Sequence, residues 1–263
     1  MGHFQITRYG TFSFNRDTMV VHVLKCVFSG FIWTLLFATP TYYIKWGFCT
    51  DLATGQVDME KLGTYGLLSS VMMLIPLLFG NLLGQPLLKL FKGDPIKTGQ
   101  FNLGVQAFGG IVLFVAQIIG VLDKLPLLFF VCMFIMALGV ACDSIPQATI
   151  EMETMDYTIY KTGKDRSALT GVLSQFLKKA QSAVSTALIG IILIAIGYQV
   201  DSVTGDFAGD VANIPTMLNW FIVIMGLVPA ILAIISIAVY TKYPLDNAGR
   251  EEMRAALKAK EEN

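Results

Sequence analysis

Two adjacent lysines lie inside an apolar run: Lys178 and Lys179 stand near the start of FLKKAQSAVSTALIGIILIAIGY, residues 176–198. Charge within a membrane-length segment is costly, and it usually faces a bundle interior or a watery cavity where it can bind or steer something. Gly171, Gln175, Lys179, Ser182, Thr186 and Gly190 recur at helical spacing and share one face, with Ser174, Lys178, Gln181 and Ser185 in a second stripe beside it. From Leu188 to Ile196 the helix is apolar nearly all round. Polar on one side in its first half and apolar beyond, it reads as the wall of a cavity. Both lysines also have a bland reading. Counting back about 20 residues from Tyr198 puts them near the edge of the hydrocarbon, where a lysine snorkels to the interface. The flanking stripe favours a functional role for Lys179, whereas for Lys178 the two readings stay open.

A carboxylate lies at matching depth. Asp143, in ALGVACDSIPQATI, precedes the end of its own apolar run near Ile150 by about the distance that Lys179 lies inside the next run, and the two runs point in opposite directions. A buried carboxylate stays ionised when it is paired. The expectation is that Asp143 and Lys179 face one cavity and interact, directly or through substrate or water. The alternative is a lone Asp143 bonded to backbone at the Pro146 kink. Gln147, next to that proline, stands where a kinked helix could open toward a ligand. Beyond Ile150, Glu151, Glu153 and Asp156 face Lys161, Lys164 and Arg166 in what reads as one charged loop, a candidate latch for inner gates. Exposed ion pairs are worth about 0–1 kcal/mol each, so such a latch would have to act as a network.

The elements that position these residues follow from composition. Of 263 residues, 54% are hydrophobic and only 14% charged, with a mean hydropathy of +0.63. Soluble domains carry roughly 25% charged residues, so this chain has too few to cover a water-facing surface. Net charge is zero, which excludes the basic signature of a nucleic-acid binder. Cys26, Cys49, Cys132 and Cys142 show no paired spacing, and His3 and His22 stand far from other ligand types, so neither a disulfide framework nor a metal site is expected. The residues before Thr18 lack the apolar core of a signal peptide. No nucleotide-binding loop or nucleophile elbow is present, so no enzyme and no cofactor is expected.

Six apolar runs are long enough to cross a bilayer: Thr18–Trp46, Leu62–Phe91, Phe101–Leu122, Leu125–Ile150, Leu169–Tyr198 and Ile214–Tyr240. The fold class expected is therefore an all-α polytopic membrane protein. It has a segment at 1–17, a six-helix bundle at 18–241 and a tail at 242–263. Sixteen of the nineteen Lys and Arg residues fall on one side of such a bundle and only Lys45, Lys61 and Lys124 on the other, so both termini are expected to be cytoplasmic. Pro40, Pro76, Pro146 and Pro229 fall well inside spans and should kink them. Gly80 and Gly84 form a GxxxG suited to close helix packing. Tyr42, Tyr43 and Trp46 read first as an interfacial aromatic belt. Asn81, Gln85, Asn102, Gln106 and Gln117 read as partners for hydrogen bonds between helices.

At DYTIYKTGKDRSALTG, followed by a lysine-bearing helix that ends IAIGY, the chain resembles the glycoside–pentoside–hexuronide:cation symporters, the melibiose permease family of the major facilitator superfamily. The family pattern D-x-x-D-Y-x-x-Y-K is met by Glu153, Asp156, Tyr157, Tyr160 and Lys161, with Glu replacing the first Asp. TPTYYIKWG resembles the outer end of the family's seventh helix and PLLKLFKGDPIKTG its basic loop between helices eight and nine. The resemblance covers nearly the whole chain and implies the C-terminal half, helices seven to twelve, of a transporter roughly twice as long.

What it implies is secondary transport of a sugar or glycoside coupled to Na+ or H+, in the plasma membrane, with an N-terminal six-helix half as partner. Lys179 falls where the family has its membrane-embedded lysine, and would line the substrate site with Gln175, Asp143, Gln147 and Ser144. Glu153, Asp156, Tyr157, Lys161 and Arg166 would form a gating cytoplasmic loop. Ser144 and Gln175 depart from the tryptophan and threonine of the melibiose site, so the sugar need not be an α-galactoside. The family's cation-binding carboxylates lie in the half this chain does not match, and a non-transporting assembly module or inactive fragment is the competing expectation.

Overall fold

The computed structural model describes residues 13–163, 165, 167–243 and 245–261. Among these the regular structure is helical apart from two isolated β-bridges, Thr50↔Val57 and Val200↔Phe207. Six stretches are long and apolar enough to cross a membrane: Val20–Phe48, Met59–Leu90, Pro95–Ile118, Pro126–Thr162, Gly171–Ala195 and Val211–Tyr240.

Proline sets most of the interruptions, because its ring removes an N–H and clashes with the carbonyl four residues back. Helix α1 (Ser13–Ala38) stops before Pro40, and α2 (Pro40–Tyr43) runs on into a wide π turn over Ile44–Phe48. Asp58 caps α3 (Met59–Leu90) by accepting from the N–H groups of Glu60 and Lys61, and Asp94 caps α4 (Pro95–Ile118) in the same way through Ile96 and Lys97. The fourth span breaks where Pro146 predicts, into α5 (Pro126–Cys142) and α6 (Ser144–Thr162), with Asp143 at the joint. Helix α7 (Ser167–Ala195) follows. The last span divides into α8 (Ile214–Ile222), a π turn over Val223–Leu227, and α9 (Val228–Tyr240), which carries Pro229 in its first turn. A final amphipathic helix, α10 (Asn247–Glu261), lies in what the sequence reads as a tail.

Six crossings put the start of α1 and the end of α9 at one end of the bundle, here the basal end. The stretch expected to be a charged loop is not one. Glu151 to Thr162 continues α6, and Gly163, at φ +67°, closes that helix in the left-handed conformation. Lys164 and Arg166 lie outside the described residues. Helix α3 packs on α5 and the start of α6 through the GxxxG: a β-carbon on Gly84 would stand 2.7 Å from Ile145 of α6, and one on Gly80 would overlap Ala141 of α5.

The main core lies toward the far end. There Tyr43 stacks on Phe129 at 4.9 Å between ring centroids, and Trp46 meets Phe207 and Tyr198 edge-on. Tyr43 and Trp46 are fully buried, so they are core residues rather than the interfacial belt expected of them. Two of the amides do join helices: Tyr43 donates to Gln117 Oε1 at 2.6 Å, Gln117 donates to Asn219 at 2.9 Å, and Ser144 donates to Asn81. Asn102 and Gln106 are buried with side-chain nitrogens that have no partner among the described residues.

Two loops cap the far end and share one pattern, D-x-x-T-G, at Asp51–Gly55 and Asp201–Gly205. In each the aspartate accepts from a backbone N–H two residues on, and the glycine N–H donates back to the aspartate carbonyl. The two loops join: Phe207 N donates to Gly55 O at 3.2 Å, Val57 N donates to Asp206 Oδ1 at 3.0 Å, and Lys45 Nζ donates to Gly205 O at 2.7 Å.

At the basal end α10 is held by a buried arginine. Arg250 Nε donates to Glu153 Oε2 at 3.0 Å and Nη1 to Asp94 Oδ1 at 3.4 Å, while Met253 and Leu245 pack beside Tyr157. Burial pushes the nearby Tyr243 hydroxyl up to about 12.

Candidate functional site

A polar seam runs between α1, α6 and α7. On α1 the residues His22, Cys26, Ser29 and Trp33 recur at spacings of three and four, so they line one face. On α7 the facing stripe is Ser174, Lys178, Gln181 and Ser185; Ser174, Gln181 and Ser185 are buried, and Lys178 is half-buried. Helix α6 supplies Gln147 and Glu151 one turn apart. A pocket of about 330 Å³ opens here, with Trp33 and Ser29 on one wall, Gln147 on another, and Lys178, Gln181 and Ser182 on the third. Ligand sites of this kind are concave and carry a few placed polar groups among apolar ones.

Hydrogen bonds fix these groups. Ser29 donates to Gln147 Oε1 at 3.3 Å; Gln181 donates to Ser185 at 2.6 Å and to Thr34 at 3.4 Å. Lys178 Nζ lies 3.8 Å from Glu151 Oε2, a pairing that leaves the pocket close to neutral. Toward the basal end, His22 Nε2 meets Cys26 Sγ and Ser174 Oγ, each at 3.5 Å. Trp33 is 45% exposed and tilts against Phe37 with centroids 4.4 Å apart, which leaves an indole surface open to the pocket. Amides, hydroxyls, an ammonium and an open aromatic face suit a neutral, hydroxyl-rich ligand.

The residues singled out from the sequence do not all meet here. Gln147 lines the pocket. Asp143 lies one helical turn before it on the chain but turns the other way, buried, with Lys25 of α1 donating to its Oδ2. The pairing expected between Asp143 and Lys179 is therefore replaced by Lys25–Asp143. Lys179 and Gln175 stand on the exposed face of α7, so it is the second stripe, joined by Ser182 of the first, that walls the seam. Ser144 turns toward α3, where it meets Asn81.

The latch residues also have other partners. Glu153 pairs with Arg250 and, at 3.7 Å, with Arg254 of α10, rather than with the basic residues expected across a loop. Lys161 lies over the rings of Tyr157 and Tyr160 at 5.6 and 5.3 Å. Asp156 is on the same helix, half-buried. Trp33, Ser29, Gln181 and Lys25 were not singled out from the sequence as site residues. The polar and small positions at helical spacing in the first apolar run were the signal that could have found the α1 face.

Six membrane-length helices around a polar seam define a multi-pass membrane protein with the build of a transporter rather than an enzyme. Residues 97–247, more than half of the chain, match the model of the MFS/sugar transport protein family, and the chain belongs to that family. No curated protein and no solved structure matches it.

Proposed function

We propose that this chain is one six-helix half of a sugar–cation symporter of the melibiose permease type, working with a second half of like build. The observation that carries the reading is the pocket between α1, α6 and α7, where Trp33, Gln147, Lys178 and Gln181 present stacking and hydrogen-bonding groups to one space. In such carriers substrate binds near the midplane between two repeated halves that rock about it.

The exposed helices are consistent with a second half. Only 17% of the membrane window of α3 and of α7 is buried, against 56% for the span formed by α5 and α6. On α7 the exposed face mixes Phe176 and Ile191 with Gln175, Lys179 and Thr186. Lipid would disfavour that polar set, whereas a partner half enclosing a wet path would take it. Lys179 then faces the partner, and Lys178 and Gln181 face the pocket on this side. The basal end, rich in Lys and Arg, is cytoplasmic, in a plasma membrane.

The test is cation-dependent uptake of labelled glycosides, pentosides and hexuronides into vesicles, with this chain alone and with a co-expressed N-terminal half. Uptake only with both halves, lost in Lys178→Ala or Gln181→Leu, is the expected result. No uptake from a folded, inserted pair would leave a non-transporting membrane module.

A further inference from the structure

Lys25, Asp143 and Tyr240 form a second buried polar cluster, separated from the pocket by α1. It gathers four helices: Lys25 from α1, Asp143 from the joint of α5 and α6, Tyr240 from the end of α9, and Gly99 from α4. Lys25 is 1%, Asp143 4% and Tyr240 1% exposed. Lys25 Nζ donates to Asp143 Oδ2 and lies 5.3 Å from the centre of the Tyr240 ring. Among the described residues the other carboxylate oxygen, Oδ1, has no partner, and neither has the Tyr240 hydroxyl.

The space before that oxygen is kept open by an absent side chain. A β-carbon at Gly99 would stand 3.2 Å from Asp143 Oδ1 and 2.9 Å from the edge of the Tyr240 ring. Among the described residues, three more titratable side chains stand close to these groups along the chain. Cys26 stands beside Lys25 on α1, Cys142 precedes Asp143, and Tyr243 lies just beyond α9, while α3 presents Gly80 and Gly84. Among the described residues Lys25 is the one charged group paired with this carboxylate.

One oxygen of this buried carboxylate is held by an ammonium, which opposes protonation, and the bare second oxygen is the atom left to take a proton. We propose that this cluster is a proton-binding site within the six-helix unit, and that Asp143 Oδ1 is the atom that takes the proton. One O–H bond forms and no bond in the protein breaks; the proton comes from water and returns to it, and the cluster goes from neutral to a single positive charge. A lone buried ammonium is unfavourable. It is relieved if α1 turns to carry Lys25 toward the pocket, which the adjacent residue Cys26 already lines. Proton binding would therefore loosen α1 from the α5–α6 joint, the same helix that carries Trp33 and Ser29 to the sugar site. As a coupling step this rests on the transport reading above; as a proton site it does not.

Two measurements separate these. The first is a pH-difference infrared spectrum of the purified chain in lipid, which reads proton binding without transport. A protonated-carboxyl band that grows as pH falls and is missing from Asp143→Asn, but kept in Asp94→Asn, is expected. A band that survives in Asp143→Asn overturns the proposal. The second uses proteoliposomes holding both halves, with internal pH followed during sugar influx and sugar exchange measured alongside. Lys25→Met/Asp143→Asn removes both charges and so avoids an unpaired buried ion. It should still exchange sugar but move no protons with it. If that double variant moves protons as the unaltered carrier does, the pair is a structural strut and the proposal fails. If the unaltered carrier moves no sugar, the transport reading fails and the infrared result alone decides the site.

Discussion

Arg250 and Glu153 meet in a nearly solvent-free ion pair, each side chain 4% exposed, although one stands on the terminal helix and the other on a membrane span. Asp94, the cap of α4, shares the same guanidinium, so α4, α6 and α10 are joined at one point. Removing one partner of a buried pair typically costs 3–5 kcal/mol, since the other charge is left behind, whereas exposed pairs are worth roughly 0–1 kcal/mol. Arg250→Met should therefore lower thermal stability in detergent by about 3 kcal/mol or more. Arg254→Met, whose side chain is 64% exposed, should cost well under that. A larger loss at Arg254 would contradict this assignment.

Trp33 presents its ring to the pocket without being needed by the core. Trp33→Ala should leave unfolding nearly unchanged and raise the half-saturating sugar concentration about tenfold, equivalent to about 1.4 kcal/mol. Trp33→Phe should recover most of that. Equal effects of the two variants on uptake would remove the stacking role.

The glycines of α3 are unequal. At Gly80 any β-carbon overlaps Ala141, whereas at Gly66 nothing lies within 4 Å. Overpacking of this kind costs about 1–3 kcal/mol. Gly80→Val should lower the melting temperature, and Gly66→Ala should hold or raise it. The reverse order would mean that α3 does not seat on α5 through this face.

The far-end loop over Asp201–Gly205 should be resistant to acid. The Thr204 and Val203 amides donate to the Asp201 carboxylate and hold it below the usual carboxylate range. A carboxyl lowered in the folded state contributes stability above its unfolded value of about 3.9, and loses it only as pH falls through the lower folded value. Protection of the Val203 and Thr204 amides, relative to their intrinsic exchange, should persist at pH 5 and fall only in stronger acid; in Asp201→Ala it should be low throughout. Low protection in the unaltered chain at pH 5 would refute the turn.

How far the sequence reaches differs by feature. The six spans, the break at Pro146 and the GxxxG contact depend on local composition and on prolines, and the structure follows them. The sequence reading pairs Asp143 with Lys179, and its carboxylate is held by Lys25 instead. Its partner was not legible because Lys25 lies in the first span, where it reads as one more basic flank. Depth along the membrane is encoded in spacing, but rotation about a helix axis is not. On α7 both stripes carry a lysine, and only packing against α1 decides which turns inward. The continuation of α6 through Glu151–Thr162 was hidden for another reason: its charges look like loop until Arg250 and Arg254 of α10 supply partners for Glu153.

The two D-x-x-T-G loops are tied to each other by backbone and carboxylate hydrogen bonds. They join the far ends of α1–α3 to those of α7–α8 as one stiff fulcrum. Any swing of α7 against α1 must then be largest at the opposite, basal end. The wedge-shaped gap so produced exposes His22 and Lys178 before it exposes Trp33, which sets the order in which water would reach the seam.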